Sequence, residues 1–339
     1  RFGKNGYTAL DWYDAPDPRP DYYRNLPSYF YMENTDYNRQ NFAKYAWAKE
    51  AWESDIASTT HLNWDRLYAV NSLNATDAGN RSKYVIEERR VDQNDLNFAL
   101  NGKWNPVKFL TINGGLSYKW NRTEYYKILD DLLGGDYYVN IDQFAERDFA
   151  AYPTMIQNDL DYFLKNGTAQ TLKEGDKYGY DYYAHVRRAE AWASGRFTFG
   201  GLEATVAGRL GYSKFWREGL LRKGLFPGLD DNGDPYTYNG NVITKYDQID
   251  GKPITSKGES DKKDFLTGSG KINLSYFIRG GHRIYADAAY ITEAPTFNQA
   301  FISPRTRNTI MPDLKTIKTL TADINYAYRN SGYDFRVTG

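Results

Sequence analysis

The chain contains no cysteine, and its 339 residues carry no net charge because 43 basic and 43 acidic residues balance. Without cysteine it can form neither a disulfide scaffold nor a thiolate metal site. Without a basic surplus it lacks the electrostatic footprint of a nucleic-acid-binding protein, so we expect no nucleic-acid partner. The mean hydropathy is −0.74. No run of about 18 apolar residues is present, which excludes a bundle of membrane helices.

Motifs of the common catalytic classes are also absent. The sequence contains no HExxH, GxSxG or P-loop pattern. The three histidines, His61, His185 and His282, lie far apart in the chain, and we interpret them as ordinary hydrogen-bonding residues. Glu87 and Glu88 are adjacent on a predicted strand and would point to opposite faces, so they make a poor acid–base pair. The sequence therefore predicts a protein that is not an enzyme.

What the chain has in excess is aromatic residues, with 31 Tyr, 17 Phe and 8 Trp in an otherwise polar sequence. Two kinds of protein share this composition. One is a soluble, secreted β-protein that stacks sugars on aromatic rings. The other is an outer-membrane β-barrel, whose strands show lipid only every second residue and whose rims carry aromatic girdles.

Residues 94–120 contain the clearest structural pattern, two alternating runs around a short turn. One face of the first run carries Leu96, Phe98, Leu100, Gly102 and Trp104. One face of the second carries Leu110, Ile112, Gly114, Leu116, Tyr118 and Trp120. A period of two predicts strands, since successive side chains of a strand point to opposite faces. Pro106 fits the turn, because proline is awkward inside a central strand.

This hairpin recurs along the chain. The predicted pairs are 83–105 with 109–125, 183–199 with 202–218, 263–278 with 283–293, and 318–328 with a strand from 333. Short turns near 106, 200, 280 and 330 join the members of each pair, whereas long connections over 126–182, 219–262 and 294–317 join the pairs. Compact soluble domains rarely carry several structureless loops above about 15 residues. Outer-membrane barrels alternate short periplasmic turns with long extracellular loops.

Residues 1–82 alternate poorly and contain the proline-rich run Asp14–Pro20. We therefore predict an extracellular loop region there, with a short helix over residues 40–56, and barrel strands over residues 83–339. The chain begins at Arg1 and stops within the strand-like YDFRVTG. We expect it to be a fragment that lacks further C-terminal strands, although a closed barrel of eight strands is the rival count.

Several segments resemble the barrel region of TonB-dependent outer-membrane receptors of the Bacteroidota type. They are LDWYDAPDPRPDYYRNLPSYF (10–30), HLNWDRLYAVN (61–71), EERRVDQNDLNFALNGKWNP (87–106) and NRTEYYKILDDLLGGDYYVNID (121–142). Residues 291–328 are similar to a late-barrel loop and strand of such receptors. The resemblance implies an all-β fold, an antiparallel transmembrane barrel of 22 strands, of which about eight lie in this sequence. The plug domain and the TonB box of such receptors are absent from it.

The resemblance also implies a function and partners. It predicts an active-transport receptor of the cell outer membrane that contacts lipid, binds its ligand with extracellular loops and lumen, and imports it with energy supplied through TonB. TonB would act through an N-terminal region outside this sequence, and a surface lipoprotein partner is compatible with the family. The alternatives are a soluble secreted carbohydrate-binding β-protein and a barrel with a structural or assembly role in a larger complex.

Two groups of residues are candidates for ligand contact. Exposed aromatic rings beside Asp and Arg suit a glycan, although packing between loops explains them equally simply. The candidate ligand-binding rings are Trp12, Tyr13, Tyr22, Tyr23, Tyr29, Tyr236 and Tyr238. The predicted lumen-facing residues are Asn97, Asn101, Asn113, Glu203 and Arg209.

One weak metal candidate is present, and no other cofactor is expected. Asp230, Asn232 and Asp234 place oxygen atoms at alternate positions, as at the start of a calcium loop. The glycine falls one residue early for that loop, and no Glu follows at the expected distance. An ordinary Asn-Gly turn is the simpler interpretation.

Overall fold

The computed structural model describes residues 2–31, 41–243, 248–249 and 252–339. It is an all-β chain whose long strands pair antiparallel. Its strands are β1 (Phe2–Trp12), β2 (Ala75–Thr76), β3 (Gly79–Asn80), β4 (Tyr84–Val107), β5 (Leu110–Asp131), β6 (Tyr138–Val139), β7 (Thr171–Leu172), β8 (Lys177–Phe199), β9 (Leu202–Gly219), β10 (Thr237–Tyr238), β11 (Asn241–Val242), β12 (Gln248–Ile249), β13 (Lys252–Pro253), β14 (Gly258–Glu259), β15 (Lys263–Ile278), β16 (His282–Glu293), β17 (Ile317–Arg329) and β18 (Asp334–Thr338).

The long strands form one 10-stranded sheet in the order β1-β4-β5-β8-β9-β15-β16-β17-β18, with β14 paired to β9. From β4 onward, long strands that follow one another in the chain are neighbours in the sheet, which confirms the predicted hairpins. Over the described residues no ladder joins β18 to β1, so the sheet is open. The rival prediction of a closed eight-stranded barrel requires a ladder between the first and last strands, and the described residues contain none.

The predicted strand boundaries agree with the structure at the short turns and fall short at the long connections. β9 begins at Leu202 and β15 ends at Ile278, as predicted. The prediction that Pro106 lies in the turn is wrong, because Pro106 is among the last residues of β4 and the turn follows at residues 108–109. β5 extends to Asp131 and β8 starts at Lys177, so the connection predicted over 126–182 is shorter and contains its own helices.

The prediction that residues 1–82 form a loop region is wrong for its first part. Residues 2–12 form β1, an edge strand of the sheet, although its glycine and asparagine residues interrupt the alternation of apolar and polar residues. Helices account for much of the remainder, and the helix predicted over 40–56 corresponds to α2; its first residue, Gln40, lies outside the described residues. The helices are α1 (Pro27–Tyr31), α2 (Phe42–Glu53), α3 (Ala57–Thr60), α4 (Trp64–Ser72), α5 (Gln143–Phe149), α6 (Leu160–Asn166) and α7 (Phe297–Ala300). Among the described helices, none is long and apolar enough to cross a membrane.

The chain divides into two compact units, and long strands contribute to both. Unit 1 comprises residues 1–5, 91–125 and 180–339, and unit 2 comprises residues 6–90 and 126–179. The core of unit 1 packs β8, β9 and α7 together through Tyr182, Ala184, Phe215, Phe297, Ala300 and Phe301. Unit 2 contains two clusters; one includes Val85, Leu129, Tyr138, Leu172 and Tyr178, and the other includes Leu67, Tyr84 and Leu133.

A buried asparagine connects three segments of unit 2. Asn71, at the end of α4, is fully buried. Its amide nitrogen donates to the carbonyl oxygens of Tyr84, Leu132 and Leu133 at 2.7–3.1 Å. Its oxygen accepts from the main-chain N–H groups of Lys83 and Tyr84 at 2.8 and 3.1 Å. Because buried main-chain groups must find partners, this side chain satisfies groups at the start of β4 and just beyond the end of β5.

A cluster of charges lies in the same unit. The Lys127 ammonium donates to Asp11 Oδ2 and to Glu87 Oε2, each at 2.8 Å. The Tyr178 hydroxyl donates to the same two oxygens at 3.0 Å. Glu87 has no exposed side-chain surface, and Arg89 Nε donates to its other oxygen at 2.5 Å. Burial alone would raise the pKa of Asp11, but the charge and hydrogen bond of Lys127 lower it below its ordinary value.

One buried arginine connects the long segments of unit 1. Arg217 on β9 is 2% exposed. Its guanidinium donates to the carbonyl oxygens of Pro304 and Ser256, at 2.6 and 2.8 Å, and to Asn308 Oδ1. Burial lowers the pKa of Arg217 to about 10. The side chain therefore holds the segments around residues 256 and 304–308 to β9 through neutral oxygen atoms.

Candidate functional site

One face of the sheet in unit 1 is apolar across five neighbouring strands. Residues paired in an antiparallel ladder have their side chains on the same face of the sheet. The ladders of β8, β9, β15, β16 and β17 therefore place one set of residues on a single face. We call this set the apolar face: Ala189, Ala191, Ala193, Gly195, Phe197, Phe199; Leu202, Ala204, Val206, Gly208, Leu210, Tyr212; Leu266, Gly268, Gly270, Ile272, Leu274, Tyr276; Ile284, Ala286, Ala288, Tyr290; Leu320, Ala322, Ile324 and Tyr326. It contains no charged residue.

The apolar face is open to solvent over the described residues. Leu210, Leu266 and Leu320 are 65, 75 and 77% exposed. The predicted hairpin of β4 and β5 shows the same behaviour, because Leu96 is 63% and Leu116 is 56% exposed. Monomeric soluble proteins rarely expose a contiguous apolar surface of this extent, and one that large marks a contact with lipid or protein.

The opposite face of the same strands is polar, and we call it the polar face. Glu203 accepts a hydrogen bond from Arg196 at 2.6 Å, and Arg209 lies 3.6 Å from Glu190. Asn273 donates to Asp287 at 2.8 Å. These residues alternate with those of the apolar face along each strand. Cross-strand polar pairs therefore cover one side of a sheet whose other side is apolar.

The predicted lumen residues lie on this side of their strands. Glu203 and Arg209 are on the polar face by register. On β4, Asn97 and Asn101 alternate with Leu96, Phe98 and Leu100, and on β5 Asn113 alternates with Gly114. Trp192 also lies on the polar face, where a Cβ at residue 115 would be 2.8 Å from its Nε1, so Gly115 makes room for the indole. Ligand contact by these residues stays a prediction.

The polarity of the two faces reverses along β8, β9 and β15. Beyond Tyr212 on β9, the side of the apolar face carries Lys214, Trp216 and Glu218, while the other side carries buried Phe215. On β8 the reversal falls between Ala189 and Arg187, and Arg187 pairs with Lys214. On β15 it falls between Leu266 and Asp264, and Asp264 also pairs with Lys214. The boundary is thus one continuous row across three strands.

Unit 2 contains a groove of about 410 Å³. Its apolar walls include Pro16, Pro18, Phe30 and Trp47, and its polar lining includes Arg24, His61 and Arg66. The Trp47 ring is 59% exposed. The one carboxylate in the lining, that of Asp17, is held by Arg19 at 2.5 Å. The volume is within the usual range for a small-ligand site, with apolar walls and few polar groups.

The aromatic candidates divide between packing and surface positions. Tyr13 is 7% exposed in the core of unit 2, and its hydroxyl donates to Glu146 at 2.6 Å. Tyr22, Tyr23 and Tyr29 form a chain of edge-to-face contacts next to the groove residue Arg24. The remaining three contact neighbours of their own: Arg19 stacks over Trp12, Arg222 stacks over Tyr236, and Tyr238 lies in the β10–β11 hairpin. Ligand binding by these rings stays a prediction.

The calcium candidate forms a turn that uses its own oxygen atoms. Asp230 Oδ1 accepts from the main-chain N–H groups of Asn232 and Asp234, both at 2.9 Å. Hydrogen bonds from the main chain of Asp234 and Asn232 lower the pKa of Asp230. Within the described ranges, no group of three or more His, Cys, Asp or Glu side chains is placed to hold a metal. Calcium binding stays a prediction.

The geometry therefore presents two features for function, an exposed apolar face backed by a polar one and a cationic aromatic groove. The sequence did not predict the groove. Trp47 and Arg66 lie on two separate helices, and the alternation of apolar and polar residues identifies strands only. No protein-family model matches the chain, and no curated protein matches it either.

Proposed function

We propose that this chain forms part of an outer-membrane β-barrel that takes up a ligand, as TonB-dependent receptors do. The observation that carries the proposal is the apolar face together with its reversal. On β9 the apolar positions run from Leu202 to Tyr212. At a rise of about 3.3 Å per residue they extend about 33 Å along the strand. At the usual barrel tilt of about 40° this is a height of about 25 Å, which matches the lipid-facing band of an outer-membrane barrel.

The aromatic residues of the apolar face support the same placement. Tyr212 and Tyr290 lie towards the long connections, and Phe199, Tyr276 and Tyr326 lie towards the short turns. Rings at both limits of an apolar band are typical of the membrane–water interfaces. The reversal beyond Tyr212 has the same cause. Beyond the lipid, the side of the apolar face would meet water and therefore carries polar residues. The side of the polar face would there be covered by the long connections and therefore carries buried residues such as Phe215.

The polar face and the groove supply the transport part of the proposal. Polar side chains such as Glu203, Arg209 and Asn273 would line a hydrated lumen. In unit 2, Trp47 offers a ring for stacking, and Arg24 and Arg66 offer charge-assisted hydrogen bonds. This combination suits a hydroxylated ligand with an apolar face, such as a glycan. Energy from TonB, a plug and a lipoprotein partner are implied by the resemblance alone.

Two measurements test the membrane placement. We expect the full-length protein to stay in the outer-membrane pellet after a carbonate wash, to need detergent for release and to migrate differently on a gel when heated. Because this chain has no cysteine, single cysteines report on each face. A Leu116→Cys thiol should resist a membrane-impermeant maleimide in native membranes, whereas a Ser117→Cys thiol should react.

The competing functions predict different results. A soluble secreted carbohydrate-binding protein would be recovered without detergent, and both thiols would react to the same extent. A barrel with only a structural or assembly role would behave as a membrane protein, but its deletion would leave uptake of every nutrient unchanged. Loss of growth on one nutrient class after deletion supports the receptor.

A further inference from the structure

A patch of cations and aromatic rings lies just beyond the apolar face, on the same side of the sheet. Arg187 and Lys214 are paired in the row that follows the pair Ala189 and Tyr212, where the apolar face ends. We call the whole set the basic patch: Trp120, Arg122, Tyr183, Arg187, Lys214 and Trp216. All of its members belong to unit 1.

Aromatic rings hold the guanidinium groups of the patch. The Arg187 guanidinium carbon lies 4.7 Å from the centre of the Trp120 ring and 5.1 Å from that of Trp216. Arg122 lies 4.7 Å from the centre of the Tyr183 ring. Cations stacked on rings keep their in-plane N–H donors available for an anion, and the rings restrict the side-chain motion that binding would otherwise have to arrest.

The charges of the patch are not neutralised within it. Arg187 Nη1 donates to the main-chain oxygens of Asn121 and Val186, at 2.8 and 3.0 Å. Arg122 Nε has no hydrogen-bond partner among the described residues. Arg122 is close enough to Arg187 for the two charges to repel each other. Among the residues that the structure describes, no carboxylate forms an ion pair with Arg122, Arg187 or Lys214.

Glu124, two residues after Arg122 on β5, lies next to the Tyr183 hydroxyl. The other acidic residues on this side have partners of their own or lie further from the two arginines. Glu218 bonds His185 Nε2 at 2.8 Å, and Glu259 bonds Lys262 at 2.8 Å. Asp264 is opposite Lys214 in the ladder, while Arg122 and Arg187 lie on strands further from it. Within the described part of the chain the two neighbouring guanidiniums thus form no ion pair, which favours binding of an anion with several oxygen atoms.

We propose that the basic patch binds the phosphate group of a lipid headgroup in the membrane leaflet at the long-connection end. The inference rests on the proposed function, because it places Leu210 and Leu266 against acyl chains. A headgroup whose chains cover those residues would have its phosphate one row further along, at Arg187 and Lys214. Arginine recognises phosphate oxygens with paired hydrogen bonds, and basic pockets at this depth are typical of headgroup recognition.

The test compares lipid A that carries its phosphate groups with the same lipid A after enzymatic removal of phosphate. Binding of each to the full-length protein in detergent is measured by native mass spectrometry. We expect the wild type to prefer the phosphorylated lipid at least tenfold and Arg122→Gln/Arg187→Gln to reduce that preference to within twofold. The matched control is Arg188→Gln, because Arg188 is the next residue on β8 and points to the other face; it should keep the preference.

Three results would overturn the assignment: equal binding of both lipids by the wild type, an equal loss in Arg188→Gln, or full displacement of the lipid by millimolar inorganic phosphate. The last would make the patch a site for free phosphate. If the double variant does not fold, the wild-type comparison of the two lipids decides alone. Detergent dependence is recorded on the same preparation. A protein that needs detergent but shows no lipid preference would contradict the phosphate site alone, whereas a protein that needs no detergent would contradict the membrane placement as well.

Discussion

Removal of the Lys127 ammonium should destabilise unit 2, and Lys127→Met is the variant that tests this. Lys127 neutralises two carboxylates, and Glu87 has no exposed side-chain surface. Removing one partner of a buried charge pair costs about 3–5 kcal/mol. Glu87 keeps its bond from Arg89, and Asp11 keeps those from the Tyr178 hydroxyl and the Trp12 main-chain N–H. We therefore expect a loss near the lower end, about 3 kcal/mol.

Hydrogen exchange resolves this loss by segment. A decrease of about 3 kcal/mol corresponds to roughly 100- to 200-fold faster exchange of amides that open with unit 2. Peptides covering residues 84–90 and 127–131 should show it, while peptides covering residues 202–212 should not change. Lys177→Met is the control, because Lys177 is exposed and stacks on Tyr126 at 4.0 Å; it should cost under about 1 kcal/mol.

The pH dependence of the variant should have the opposite sign to that of the wild type. In the wild type the pKa of Asp11 is lowered, so its contribution is complete above the ordinary carboxyl pKa and is lost only as the pH falls below it. In Lys127→Met the two carboxylates share one hydroxyl, and their remaining cation, Arg89, contacts Glu87 alone. Repulsion between the carboxylates then raises a carboxyl pKa in the folded state. The variant should then recover protection, relative to the wild type, as the pH falls from 8 to 5.

Lys127→Met/Asp11→Asn removes the repulsion and should abolish that recovery. Equal exchange rates in Lys127→Met and wild type at pH 8 would refute the electrostatic account. A pH-independent loss would show instead that Lys127 acts through packing of its stem.

Three further expectations follow from single side chains. Asn71→Ala removes hydrogen bonds to five main-chain groups of unit 2, of which the Leu132 carbonyl keeps those from Ser82 and Gly135. We expect a loss of about 4 kcal/mol, measured as faster exchange at residues 82–84 and 132–133. Arg217→Met should expose the segments around residues 256 and 304–308 to limited proteolysis, and Arg217→Lys should not restore protection because one ammonium cannot replace the planar fork. Leu210→Arg should cost about 2–4 kcal/mol in refolding into vesicles, whereas Ala207→Arg on the polar face should be near neutral; similar costs for both would contradict the assignment of faces.

The hairpins could be predicted from the sequence because their two faces differ along the whole turn-proximal half of each strand. On β9 every even position from Leu202 to Tyr212 is apolar or glycine, so a period of two identifies the strand, its face and its turn. The first strand could not be found in this way. β1 is an outer strand with Gly3, Asn5 and Gly6, and main-chain pairing to β4 holds it in the sheet.

The groove and the basic patch depend on contacts between distant segments, which periodicity does not report. Trp47 and Arg66 come together only after α2 and α4 fold against the proline run. Arg122 and Arg187 are 65 positions apart in sequence, and only the neighbouring positions of β5 and β8 place both over one row of rings. Aromatic residues found by sequence alone, such as Tyr13, include core residues because composition does not distinguish a packed ring from an exposed one.

The reversal of polarity explains why the sequence of β8 does not alternate with one phase along its whole length. Its apolar residues occupy even positions at Tyr178, Tyr180 and Tyr182 and odd positions from Ala189 onward. Read as one amphipathic strand, this is a broken pattern. In the ladders, the position where the apolar face changes side on β8 is paired with the corresponding position on β9. That position on β9 is paired in turn with the corresponding position on β15. Three strands change phase at paired positions, so one change in their surroundings is the simplest cause. The proposed membrane placement supplies such a cause, because the lipid–water boundary would cross all three strands at the same height.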